Sequence, residues 1–243
     1  MNHMRSAVGG DSIHQVNNLL ERFIYSCSHE LKSPIASMQG LLDIIKYHPL
    51  HSETSTCLSM MSVCVERMTN LMHSLEEYMN NEKQEIFLER AGGEATINRV
   101  LDQFQASLDK QQIKVKTVIH QSSPWVIDVK RVNLVLSTLV SNAVAFQDPD
   151  KKEKTLLIRL NVAKTKSVLE VSDNGIGIPL ERQDKIFDLF YRGHDHSQGS
   201  GLGLFLVKKI VSKMDAKVTV KSSERIGTSF KIATPNYHLK WID

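Results

Sequence analysis

The chain has 243 residues, of which 41% are hydrophobic and 23% are charged, a composition typical of a globular protein with one large domain or two smaller ones. Its formal net charge of +3, without a long run of Lys or Arg, argues against nucleic acid as a partner. No apolar run reaches the roughly 20 residues that span a bilayer. We therefore expect no membrane contact by this fragment, while a membrane-associated longer parent is compatible with the sequence.

The three cysteines, Cys27, Cys57 and Cys64, lie inside apolar helical patterns and lack the spacing of a metal site. An odd and sparse count favours a reducing compartment and buried thiols over a disulfide framework. We therefore predict buried cysteines and a cytoplasmic location. Residues 1–11 carry no signal-peptide pattern and are predicted to be a tail or a cloning remnant.

Residues 12–80 are predicted to form a helical hairpin. Ser12 and Gln15 have the spacing of a capping box, and apolar residues then recur in steps of three and four as far as Ile45. Pro34 interrupts this pattern without ending it, so we predict a kink at that residue.

The second helix of the hairpin carries an apolar seam with heptad spacing. The seam consists of Leu58, Met61, Val65, Met68, Met72, Leu75 and Met79. A single hairpin cannot cover the apolar stripes of both of its helices. We therefore predict a homodimer in which two hairpins form a four-helix bundle.

From about Ala91 the apolar residues change from a helical period to alternation. Strands are predicted around residues 113–119, 156–162, 169–171, 218–220 and 230–232, with helices at about 94–110, 128–147 and 202–214. This order predicts an α/β sandwich of mostly antiparallel strands, with helices on one face of the sheet. Residues 81–93 are a predicted linker, 94–237 the second domain and 238–243 a tail.

Three segments of the second domain have the chemistry of a phosphate-ligand site. Asp173 ends a predicted strand, and the following Gly175 and Gly177 permit backbone conformations and close approaches that other residues forbid. The glycine-rich run 199–203 leads into a helix, whose N-terminus offers free N–H groups to phosphate. Asn142 supplies an amide oxygen of the kind that Mg²⁺ accepts beside phosphate oxygens.

Each segment alone also has an ordinary structural explanation. A glycine-rich run is usually a tight turn, and this one lacks the Lys-Ser/Thr of a P-loop. Asn142 alone is more often a packing residue, and Asp173 alone is as often a turn residue. The order and separation of the three segments favour a nucleotide site.

Together these segments resemble the N box and the two glycine boxes of the Bergerat-type ATP-binding fold, found in histidine kinases, type II topoisomerases, certain chaperones and mismatch-repair ATPases. The matching residues are Asn142, Asp173-x-Gly175-x-Gly177 and Gly199-x-Gly201-x-Gly203. Residues 186–192, Ile-Phe-Asp-Leu-Phe-Tyr-Arg, resemble the F box specific to histidine kinases. The resemblance covers about residues 12–235 and implies an α + α/β chain whose second domain has one mixed sheet covered by helices.

The resemblance also implies a role for each site residue. Asp173 would accept a hydrogen bond from the adenine amino group of ATP, and Thr228 would support adenine recognition beside it. Asn142 would bind the Mg²⁺ that bridges the phosphates. Residues 187–203 would form a lid, whose end wraps the triphosphate with Gly199, Gly201, Leu202 and Gly203.

Two residues depart from the N box of the family. Thr138 stands where the family usually has a second asparagine, and Ala145 stands near a usual basic residue that neutralises phosphate charge. Weaker Mg-ATP binding or slower transfer is the expected consequence of these two departures.

The segment Ser28-His-Glu-Leu-Lys-Ser-Pro34 resembles the H box of the dimerisation and phosphoacceptor domain of histidine kinases. A lone helical histidine is usually structural or exposed, but the ATP-binding motifs on the same chain favour His29 as the phosphoacceptor. A neutral imidazole is a good nucleophile with a pKa of about 6.5. Glu30 is the candidate that orients the ring and accepts its proton.

The resemblance implies further partners. Ser33 stands where the family has a Thr or Asn that helps to dephosphorylate the response regulator, so the resemblance implies a phosphatase role for its hydroxyl group. The expected partner is the receiver domain of a response regulator, whose aspartate takes the phosphoryl group from His29. The parent protein is expected to carry an upstream sensor domain.

Two alternatives stay open from the sequence. The first is an ATPase of the same nucleotide-binding fold that forms no phosphohistidine, against which the H box and the F box argue. The second is a degenerate kinase that acts as a dimeric signalling scaffold, which the replacements at Thr138 and Ala145 favour.

Overall fold

The computed structural model describes residues 31–32, 35–43, 45, 52–191 and 201–237. These residues fall into two compact units, one helical unit that ends at Gln84 and one α/β unit that begins at Glu85. Gly201 and Leu202 are grouped with the helical unit. The predictions for both tails and for the following residues lie outside the described part and stay predictions: Ser12, Gln15, Cys27, Ser28, His29, Glu30, Ser33, Pro34, Arg192 and Gly199.

The helical unit contains helix α1 (Ser52–Lys83) and a second segment with the helical residues 31–32, 35–43 and 45. Its apolar residues recur at helical spacing, so that one face of each segment is buried against the other. The buried cluster consists of Ile35, Leu42, Val65 and Met72, with Leu58 packed against it. Lys32 forms an ion pair with Glu76 across the two segments. Among the described residues, no helix is long and apolar enough to cross a membrane.

A second apolar face of the helical unit is exposed. Val65, Met72 and Met79 of the predicted seam are buried, whereas Met61 and Met68 are 54% and 38% exposed. On the other segment, Leu31, Met38 and Leu41 are exposed as well. The hairpin therefore covers only part of its own seam.

The prediction of buried cysteines is wrong for the two cysteines that the structure describes. Cys57 and Cys64 are both exposed free thiols. Each precedes a seam position by one residue, and this rotation of about 100° around the helix turns them away from the buried cluster.

The α/β unit contains a five-stranded sheet and a two-stranded sheet. The five-stranded sheet contains β2 (Ile113–Gln121), β4 (Lys154–Val162), β5 (Lys166–Asp173), β6 (Lys217–Ser223) and β7 (Gly227–Pro235). Its order is β2-β4-β5-β7-β6, with β2 and β4 parallel and the other pairs antiparallel. The small sheet pairs β1 (Glu89–Ala91) with β3 (Trp125–Ile127). Strand β1 lies within residues 81–93, which the sequence predicted to be a linker.

Three helices cover one face of the larger sheet: α2 (Gly93–Lys110), α3 (Val129–Ala145) and α5 (Gly203–Lys213). A single short turn of helix, α4 (Leu180–Gln183), precedes the segment with the F-box motif. The residues of strand β4 show that only one face of the sheet is covered. Leu156, Ile158 and Leu160 are buried, and Arg159, which points to the opposite face, is exposed. The predicted sandwich with one mixed sheet is confirmed.

A buried ion pair fixes the start of α3. Asp128 caps this helix by accepting a hydrogen bond from the backbone N–H of Arg131, and the two side chains also form an ion pair. The same pair holds the beginning of the unit, since Arg131 donates to the carbonyl of Glu85 and Asp128 accepts from the N–H of Phe87. Both charges are therefore satisfied where they are buried.

Candidate functional site

Asp173 lies at the end of the central strand β5, between Leu156 on β4 and Thr228 on β7. The backbone N–H of Gly175 donates to its carboxylate oxygen Oδ1 at 2.8 Å. Desolvation raises the pKa of Asp173 from 3.8 to about 6, although the N–H groups of Gly175 and Thr228 and the charge of Lys151 oppose this rise. The site therefore contains a carboxylate whose burial disfavours its ionised form, as is common for groups that bind a ligand.

The turn after β5 needs glycine at both predicted positions. A Cβ atom on Gly175 would lie 2.1 Å from the carbonyl oxygen of Phe146. Gly177 has a φ of +73°, and a Cβ atom there would lie 2.0 Å from the carbonyl oxygen of Ser223. Two other chain segments therefore approach the turn directly, which only glycine permits.

Replacing Gly177 by alanine is expected to lower the free energy of unfolding of the α/β unit by at least about 2 kcal/mol, because a positive φ and a backbone clash coincide. Thermal or urea unfolding would measure this loss. Gly92→Ala is the matched control, since Gly92 has a φ of −88° and its added Cβ would lie 3.7 Å from the nearest atom. Equal stability of the two variants would contradict this explanation of the turn.

Thr228 and Ser222 complete the wall beside Asp173. Thr228 is buried, and its hydroxyl group lies 2.9 Å from that of Ser222. Ser222 Oγ also donates to the carbonyl of Gly227 and accepts from the N–H of Ile178. One serine hydroxyl thus links β6, β7 and the turn after Asp173, a role that the sequence analysis missed.

Asn142 lies in the last turn of α3 and is half-buried. Its carbonyl accepts from the N–H of Phe146, whose own carbonyl accepts from the N–H of Ile176 at 3.0 Å. These bonds bring the end of α3 against the turn after Asp173. Within the described residues the side-chain amide of Asn142 makes no hydrogen bond, so its oxygen is available for a ligand such as Mg²⁺.

Thr138 lies one turn before Asn142, and its hydroxyl donates to the carbonyl of Leu134. Its methyl carbon lies 3.1 Å from where a Cβ atom of Gly203 would stand. The first residue of α5 therefore approaches α3 closely enough to favour glycine. Gly203 and Asn142 are brought to the same side of the unit in this way.

The segment with the F-box motif is anchored by its first residues. Ile186 is buried, and the ring of Phe187 meets that of Phe230 edge to face at a centroid distance of 6.3 Å. Leu189 and Phe190 are exposed. Gly201 has a positive φ of 75° and Leu202 is buried, while the participation of both residues in a lid stays a prediction.

Comparison with known families gives the same two-part division. A model described as the His Kinase A (phospho-acceptor) domain matches residues 19–84, and one described as histidine kinase-, DNA gyrase B- and HSP90-like ATPase matches residues 127–238. A phosphoacceptor domain followed by such an ATPase domain defines a protein of the histidine kinase class. The two matches together support a sensor histidine kinase of two-component systems.

Individual relatives agree with this assignment. The chain is 28% identical over 230 residues to the sensor protein kinase WalK of Staphylococcus haemolyticus, and 29% identical over 229 residues to WalK of Staphylococcus saprophyticus. These matches cover 91% of this chain but only 37% of each relative's length.

Two solved structures share the fold. Full-length ShkA, solved in complex with AMPPNP, superposes with a TM-score of 0.71 and 19% identity over 88% of this chain and 45% of that one. The histidine kinase AdeS of Acinetobacter baumannii superposes with a TM-score of 0.63 and 24% identity over 86% of this chain and 98% of that one.

Proposed function

We propose that this chain is the catalytic core of a histidine kinase that binds Mg-ATP and transfers the γ-phosphoryl group to its own His29. The single observation that supports this most strongly is the desolvated carboxylate of Asp173 beside two obligatory glycines, on a chain that also matches a phosphoacceptor domain. A carboxylate with this surrounding is suited to accept a hydrogen bond from the adenine amino group.

Different residues around Asp173 bind different parts of the nucleotide in this proposal. Asp173 and Thr228 recognise adenine, and the turn with Gly175 and Gly177 lets the backbone approach the base. Asn142 provides one amide oxygen for Mg²⁺, and phosphate oxygens and water provide the remaining ligands. The bound ion would neutralise charge on the phosphates. Its binding by one protein ligand fits the described residues, among which no cluster of three potential metal ligands occurs.

The phosphoryl transfer requires a neutral imidazole at His29. A ring nitrogen attacks the γ-phosphorus, the bond from phosphorus to the ADP oxygen breaks, and ADP leaves with that electron pair. Glu30 holds the N–H of the other ring nitrogen and accepts its proton. The glycine-rich run 199–203 surrounds the phosphates with N–H groups.

The phosphoryl group then passes from His29 to an aspartate of a response regulator receiver domain. Ser33 is proposed to orient water when the regulator is dephosphorylated. We further propose that these reactions take place in the bacterial cytoplasm, where ATP and reduced cysteines coexist. A sensor domain upstream of this fragment would supply the signal.

We also propose that two chains form a four-helix bundle through the exposed apolar face of the helical unit. Leu31 and Met38 are seven residues apart on one segment, and Met61 and Met68 are seven apart on α1. Residues at this spacing lie on one face of a helix, and a second hairpin would remove them from water.

Replacing both Met61 and Met68 by glutamate is expected to weaken the dimer at least ten-fold, because two charges per chain would enter the apolar interface. Light scattering over a dilution series would measure the shift towards monomer. Asn70→Glu is the control, since Asn70 is exposed on the opposite side of α1. A double variant that stays as dimeric as this control would refute the assigned interface.

The kinase activity is tested by incubating the protein with γ-labelled ATP and Mg²⁺. Label that is lost in acid and kept in base is expected, because a phosphorus–nitrogen bond has this stability and a serine phosphate does not. Addition of candidate receiver domains should then remove the label from the kinase. Release of inorganic phosphate without labelled protein would instead favour the ATPase alternative.

A further inference from the structure

Lys151 joins two turns that border Asp173. It lies in the segment between α3 and β4, and its ammonium group donates to the carbonyl of Asn174 and, at 3.1 Å, to the carbonyl of Ile226. Asn174 directly follows Asp173, whereas Ile226 belongs to the turn between β6 and β7. One side chain therefore connects two segments that are about 50 positions apart in the chain.

The turn at Asn174 is also held from its other side. The side-chain oxygen of Asn174 accepts from the N–H of Thr155 at 2.8 Å, and its amide nitrogen donates to the carbonyl of Glu153 at 2.8 Å. The N–H of Arg225 donates to the carbonyl of Ile176 at 2.7 Å and ties the second turn to the first. The position of the Asp173 carboxylate thus depends on a network in which Lys151 is the cationic member.

The charge of Lys151 has a second effect. Its positive charge lowers the pKa of the Asp173 carboxylate and so opposes the effect of desolvation. A positive charge nearby favours the ionised form of an acid, whereas desolvation favours the protonated form.

We propose that Lys151 is a positioning residue of the nucleotide site, which holds the two turns in place beside Asp173 and supports the negative charge that adenine recognition needs. This inference rests on the proposed ATP site. Lys151 acts through Asp173 and contacts the backbone behind it, so its effect differs from that of a lysine that binds phosphate.

The experiment measures the affinity for ATP between pH 5.5 and 8.5 by calorimetry, using the full chain. Wild type is expected to lose affinity as the pH falls through about 6, where Asp173 becomes protonated. Lys151→Met should move this midpoint to higher pH and weaken binding at pH 7 by roughly five- to ten-fold. Lys151→Arg should restore most of the wild-type profile.

Lys152→Met is the matched control, because this substitution removes the same formal charge from the exposed residue next to Lys151. A midpoint of Lys151→Met equal to that of this control would overturn the inference. Absence of binding by wild type at every pH would instead overturn the proposed ATP site. If Lys151→Met does not fold, Lys151→Gln and Lys151→Arg decide the matter, since identical midpoints for these two would exclude a role of the charge.

Discussion

Replacing His29 by glutamine is expected to reduce the transfer of label from γ-labelled ATP to background, at least 100-fold below wild type. Glutamine preserves a polar side chain and a good helix propensity, but its amide nitrogen is not a nucleophile. Nucleotide affinity should stay within about two-fold of wild type, because the proposed role of His29 is to accept the phosphoryl group and not to recognise adenine.

His120→Gln is the control for this experiment, since His120 is an exposed histidine on β2. It should be labelled like wild type. Acid-labile label that persists on His29→Gln would place the acceptor on another residue and defeat the assignment.

Replacing Asp173 by asparagine is expected to abolish most nucleotide binding while stabilising the protein. One oxygen of the carboxylate accepts from the N–H of Gly175, and in the proposed complex the other oxygen accepts from the adenine amino group. Asparagine has one oxygen, so its NH₂ must face one of these two donors. A loss of at least about 30-fold in ATP affinity follows from one such mismatch.

The size of the stability gain depends on pH. A pKa raised from 3.8 to about 6 means that ionisation of Asp173 opposes folding, by about 3 kcal/mol before solvent screening is taken into account. Because the residue is half-buried, we expect a gain of about 1–2 kcal/mol for Asp173→Asn at pH 7.5. The gain should shrink as the pH falls from about 6 to 4, where the folded carboxyl group is protonated and the unfolded one, with its pKa of 3.8, is only partly ionised.

Thermal unfolding at pH 7.5 and pH 4, with and without ATP, measures both effects. ATP should raise the melting temperature of wild type but not that of the variant. Asp102→Asn, an exposed position on α2, should behave as wild type. An Asp173→Asn protein that is less stable than wild type at pH 7.5 would show that the carboxylate is structural and not held at a cost for ligand binding.

Periodicity predicted the long elements of this fold well. The alternation from Leu156 to Val162 and the helical spacing around Leu136 each extend over several residues, so that one ambiguous position does not obscure them. Strands β1 and β3 have three residues each and were missed, because so short a segment contains no measurable alternation. The parallel pairing of β2 with β4 is set by the chain crossing between them, which a local pattern does not contain.

The candidate site divides in the same way. Asp173, Gly175 and Gly177 were found because they are adjacent in the chain and form a motif. Lys151 was missed, since its partners at Asn174 and Ile226 become its neighbours only when the sheet forms. The cap at Asp128 could have been found, because an acidic residue three positions before Arg131 at the start of an apolar helix is a local signal.

Among the residues that the structure describes, β2 and β6 are the edge strands of the larger sheet, and no further strand pairs with the backbone groups on their outer sides. Lys114 and Lys116 on β2, and Lys217 and Lys221 on β6, are exposed at alternate positions of these strands. Extending either sheet with a strand of another molecule would bring ammonium groups of like charge together, which disfavours open-ended aggregation. Self-association along the sheet is thereby discouraged, which agrees with the proposal that two copies of this chain associate through the exposed apolar face of the helical unit.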